Sequence, residues 1–138
     1  MTTAKRFEDL EVWQKAKELT NLIYNDSSDG TFARDFGLRD QMRRAAVSIM
    51  SNIAEGFESQ TQAMFIKYLA HAKGSAGELR AQLYIARDQG YITDEEFKTM
   101  FSMAEICSKQ LSRFMQYLES QPNARRVREE GVIYNVER

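Results

Sequence analysis

This chain of 138 residues has one cysteine, one histidine and one proline. The lone Cys107 excludes an intrachain disulfide. The lone His71 excludes the paired Glu-x-x-His motifs of di-iron bundles, and no glutamate stands three residues before it. Zinc needs several cysteine or histidine ligands, so no metal is expected, and no cofactor motif is present. Nucleophilic catalysis needs a nucleophile, a base and an orienting group. No paired motif surrounds Cys107 or His71 in the sequence, so a non-enzymatic protein is expected. No run approaches the ~18 apolar residues of a membrane span. Met1 to Arg6 is polar and lacks the apolar core of a signal peptide. The expectation is a soluble cytoplasmic protein with no membrane partner. A basic excess is also missing: the formal net charge is -1 and the pI is about 5.9, which argues against a large electrostatic footprint for nucleic acid.

Scarcity of breakers leaves room for long helices. With Pro122 the only proline and seven glycines in all, the chain reads as all-α. Leu10, Trp13, Ala16, Leu19 and Ile23 recur at three- and four-residue steps and predict a first helix over about 10–25, with Asp9 as its N-cap. Asp26 to Gly30 reads as a loop. A second helix begins near Gly37 or Leu38, with Leu38, Met42, Ala45, Ile49 and Ile53 as its stripe and Gly56 near its end. A third helix, roughly 62–89, carries Phe65, Leu69, Ala72, Ala76, Leu79, Leu83 and Ala86, and Gly90 stops it. Thr93 and Glu96 form a capping box for a fourth helix over 94–120, whose stripe holds Phe97, Phe101, Ala104, Leu111, Phe114 and Leu118. Four such helices with short connections predict an antiparallel up-down-up-down four-helix bundle over 1–121. A polar tail over 122–138, expected to be partly disordered, follows.

Three features are left over once the core is assigned. On the third helix, Ala63, Ala70, Gly74, Gly77 and Ala81 gather opposite the core stripe. Glycine inside a helix costs about 0.5–1 kcal/mol against alanine, so close approach of another backbone is implied. That backbone belongs either to the fourth bundle helix or to another subunit. On the second helix, Arg44, Ser48, Ser51, Asn52 and Glu55 share a polar side, which is either solvated or a hydrogen-bonded seam between helices or subunits. Lys73, Arg80 and Arg87 fall seven apart on one edge of the third helix, and Arg125, Arg126 and Arg128 of the tail could join them. That line, with Arg44, is either a solvated, salt-bridging boundary or a phosphate-contact surface. Ala70, Gly74, Gly77, Ala81, Ser48 and Asn52 are the candidate oligomer interface. Arg44, Lys73, Arg80, Arg87, Arg125 and Arg126 are the candidate nucleic-acid contacts.

Several blocks resemble the 23S rRNA-intervening-sequence protein family, also called four helix bundle proteins. Phe7-Glu-Asp-Leu-Glu-Val-Trp-Gln14 resembles the family's opening. Phe36-Gly-Leu-Arg-Asp-Gln-Met-Arg-Arg-Ala-Ala46, with Ser48-Ile49 and Ser51-Asn-Ile-Ala-Glu-Gly56, resembles its central motif. Lys73-Gly-Ser-Ala-Gly-Glu-Leu79, Gln82-Leu83 and Gly90-Tyr91 resemble later blocks. The resemblance implies a bundle assembled into a homopentameric ring. It also implies kinship with the accessory protein of diversity-generating retroelements, which is strongly basic, binds nucleic acid and partners a reverse transcriptase. This chain departs from that relative in its net charge of -1. Two functions follow: an oligomeric scaffold or adaptor, or a nucleic-acid-associated ring that gathers weak basic patches by multivalency.

Overall fold

The four long helices start and stop where local chemistry places them. The computed structural model describes residues 2–121, 126–129 and 134–137. It contains α1 (Glu11–Asp26), a short α2 (Gly30–Arg34), α3 (Phe36–Glu58), α4 (Gln62–Asp88) and α5 (Asp94–Ser120). These place the predicted first to fourth helices at α1, α3, α4 and α5. The α5 N-terminus is fixed as expected: Thr93 Oγ1 accepts from the Glu96 amide, and Glu96 Oε1 accepts from the Thr93 amide. Thr61 and Asp35 cap α4 and α3 in the simpler way, each accepting from the amide three residues on. Gly90, at φ 76°, adopts the left-handed conformation that ends α4.

One local expectation is corrected. Asp9 does not cap α1. Leu10 occupies the N-cap and is fully buried, while Asp9 closes a 3-10 turn (Phe7–Asp9) and accepts from the Lys5 amide at 3.1 Å. Burial of Leu10 fixes the chain's entry into the bundle one residue after Asp9. The loop read after α1 is found at 27–29, and α2, which the periodicity did not suggest, follows it because Phe32 finds a buried site, stacked on Tyr91 with ring centroids 5.2 Å apart.

Cross-helix contacts give the direction of each pair. Thr20 reaches Ala46 and Ser27 reaches Arg43, so α1 and α3 run oppositely. Ser48 meets Ser75, while Gly56 lies against Phe65 and Tyr68, so α3 and α4 do as well. Phe65 packs on Phe114 and Tyr84 on Phe101, which sets α4 against α5. α5 returns to α1, closing an up-down-up-down bundle. The stripe read from the α4 sequence is buried in full, from Phe65 to Ala86.

The chain ends add something the periodicity did not suggest. β1 (Thr2–Ala4) pairs in parallel with β3 (Tyr134–Glu137), and β2 (Arg126–Glu129) pairs antiparallel with β3, giving the order β1-β3-β2. β2 lies against α5. The expectation of partial disorder for the tail falls in part on residues 122–125, 130–133 and 138, outside the described residues.

Candidate functional site

The small-residue side of α4 faces solvent. Ala63, Ala70, Gly74 and Ala81 are exposed and Gly77 is half-buried. This overturns one of the two readings of that face, in which it packed a fourth bundle helix. The Phe65–Ala86 stripe already contacts both neighbouring helices, α3 and α5, so the opposite side of the cylinder has no helix left to meet. A Cβ built on Gly74 would meet nothing within 4 Å, and one on Gly77 would touch only the Arg80 guanidinium at 3.6 Å. The folded chain therefore gives neither glycine a packing reason. Ile85, 50% exposed, extends the stripe, and Met64 and Tyr84 flank it, also exposed.

Gly56 behaves in the opposite way. A Cβ there would lie 2.9 Å from Phe65 Cδ1, 3.0 Å from Tyr68 Cβ and 3.3 Å from the Phe65 carbonyl oxygen. It is the glycine that lets α3 and α4 approach closely. The signal was present in the sequence: Gly56 continues the apolar series Met42, Ala45, Ile49, Ile53 at helical spacing.

The polar side of α3 is partly a seam within the chain. Ser48 Oγ lies 2.8 Å from Ser75 Oγ on α4. Asn52 Nδ2 donates to the Ser48 carbonyl at 2.8 Å and to Ser48 Oγ at 3.0 Å. Both residues are half-buried, and Ser51, Arg44 and Glu55 stay exposed. So Ser48 bonds α4 directly, while Asn52 braces Ser48 from within α3.

The candidate cations differ in how committed they are. The Arg87 guanidinium stacks over Phe97 at 4.4 Å and Tyr84 at 5.3 Å and meets Asp88 at 3.5 Å. Arg80 is half-buried, with its Nε unpartnered. Arg44 is exposed and Lys73 half-buried, and neither makes an ion pair among the described residues. Arg126 lies in β2, while Arg125 falls outside the described residues.

Arg43 was not singled out by sequence, yet it makes three hydrogen bonds and a ring contact. Its Nε donates to Ser27 Oγ at 2.9 Å, and its terminal nitrogen donates to the Ser27 carbonyl at 3.1 Å. The guanidinium also covers the Tyr24 ring at 4.5 Å. It neutralises the negative C-terminal end of α1. Tyr24, Asp40, Arg43, Arg44, Val47 and Ser48 line an open cleft of about 460 Å³ beside it.

Two titratable groups, Asp26 and Tyr91, are shifted among the described residues. Cys107 is buried and His71 is exposed, 6.4 Å from the Tyr68 ring. No cluster of three metal-ligating side chains occurs among the described residues. Burial and then the nearby Glu96 raise the Asp26 carboxyl above its usual value. Donation to Asp35 at 2.8 Å raises the Tyr91 phenol. No described helix is long and apolar enough to cross a membrane.

Comparison with known proteins agrees with this geometry. A solved protein of unknown function from the S23 ribosomal protein family of Bacteroides thetaiotaomicron superposes with a TM-score of 0.71 at 26% identity, covering 76% of this chain and 98% of that one. No curated protein matches. Residues 8–113 match the 23S rRNA-intervening sequence protein family, and that span takes in nearly all of the bundle; the chain belongs to this family.

Proposed function

We propose that this protein is a non-enzymatic scaffold or adaptor that self-associates through the exposed small-residue face of α4, as the homopentameric ring that the resemblance implies. One observation carries the reading: Gly74 sits in mid-helix with open space around its Cβ position. Two helical glycines, Gly74 and Gly77, together cost about 1–2 kcal/mol. Close approach of a second backbone offsets that cost in an assembly. Ala70 and Ala81 extend the same surface, and the Ser48–Asn52–Ser75 seam fixes how α4 presents it. Light scattering and native mass spectrometry of the full chain should give a mass of five protomers. A monomer at every concentration tried would remove the reading.

A second reading rests on Arg44 and Lys73, which lack ion-pair partners among the described residues. With Arg80, they could contact phosphate, and copies on a ring would add by multivalency. Binding of single-stranded RNA or DNA should then fall steeply with added salt. Salt-independent binding, or none, would remove it.

A further inference from the structure

We infer that the α4 face of one copy docks on the Tyr24–Phe36–Val47 face of the next, in a head-to-tail contact between different surfaces. This rests on the self-association reading above and names the partner surface.

Pairing α4 with its own copy brings like charges together in either direction. A two-fold axis relating antiparallel helices sets each flank of the stripe against itself. The flank holding Lys73, Arg80 and Arg87 would then meet a second row of the same cations. A two-fold axis relating parallel helices sets each residue of the stripe against its own copy. Lys67 and Asp88 continue the Gly74–Ala81 row at seven-residue steps, and both are exposed. Lysine would face lysine, and aspartate would face aspartate. Like charges directly opposed across a contact are costly. The stripe is therefore built for another surface.

Exposed apolar side chains show which one. The large exposed hydrophobic residues among those described are Tyr24, Phe36, Val47, Met64, Tyr84, Ile85 and Ile106. Met64, Tyr84 and Ile85 belong to α4 itself, and Ile106 stands alone on α5. Phe36, at 62% exposure, and Val47 share the outward side of α3. Tyr24 and Val47 line the same cleft. Projecting bulk on this side suits a face of glycines and alanines on the other. Charge agrees. Arg44 beside Val47 and Glu78 beside the stripe are both exposed, and neither makes a hydrogen bond or ion pair among the described residues. A contact between two different faces repeats around a ring or along a filament rather than ending at a dimer.

Two variants test it. Val47→Arg breaks one face and Ala81→Arg the other. Both positions are exposed, so each variant should keep the wild-type circular-dichroism spectrum and melting temperature of the folded monomer. Each alone should lose the wild-type assembly. Mixed, they should form a 1:1 heterodimer that grows no further, because Val47→Arg keeps an intact α4 face and Ala81→Arg keeps an intact α1–α3 face. Wild-type-sized assemblies of Val47→Arg, or no complex on mixing, would overturn the head-to-tail contact while leaving self-association standing. A wild-type protein that is monomeric throughout would overturn both.

Discussion

Gly56 and Gly74 are both helical glycines, yet replacing each with alanine should move stability in opposite directions. At Gly74 the new methyl enters open space. The helix gains the alanine preference of about 0.5–1 kcal/mol. At Gly56 the same gain applies, but the methyl would sit 2.9 Å from Phe65 Cδ1, 3.0 Å from Tyr68 Cβ and 3.3 Å from the Phe65 carbonyl oxygen. Phe65 is buried against Phe57 and Phe114, so its ring has little room to retreat. Overpacking of this kind costs about 1–3 kcal/mol. The net at Gly56 is thus a loss of up to about 2.5 kcal/mol, with a midpoint of ~1 kcal/mol. For a domain of this size, 1 kcal/mol moves Tm by about 3 °C. Urea unfolding at concentrations low enough to keep the protein monomeric isolates the effect. Gly74→Ala should unfold at higher urea and Gly56→Ala at lower urea, with unchanged slopes. A Gly56→Ala protein as stable as wild type would refute the close approach of α3 and α4. In the assembled state, Gly74→Ala should instead weaken association.

Arg43→Met keeps the aliphatic stem and removes the charge from the end of α1. The lost hydrogen bonds to Ser27 should cost about 1–2 kcal/mol, read by urea unfolding; a change under 0.3 kcal/mol, roughly half of RT, would show the cap to be inert. The Tyr91–Asp35 hydrogen bond predicts a pH dependence. Because the folded phenol titrates above the ordinary value of 10.0, its contribution is fully present below pH 10 and is lost as pH rises through the folded value. Tyr91→Phe should abolish that part of the alkaline fall in Tm. An identical alkaline profile in both proteins would rule out the contribution.

Much of the fold was legible because helices are local. The α4 stripe could be read residue by residue, since a period of 3.6 depends on neighbours in sequence. The Thr93–Glu96 capping box was legible for the same reason. The candidate site was only half legible. Sequence showed that α4 has a second face of small residues, but helical spacing contains no statement of which neighbours stand on which side.

The sequence by itself determined the number of long helices, the side each one buries and the small-residue stripe on α4. Tertiary structure alone decided that this stripe faces solvent, that Ser48 bonds Ser75 inside the chain, and that Gly56 is the tight crossing. It also brought Arg43 to the end of α1 and joined β1 to β3 from opposite ends of the chain. The physical reason is range. Periodicity and capping act over three or four residues, whereas each of these other contacts joins residues distant in sequence, and its partner exists only once the bundle has closed.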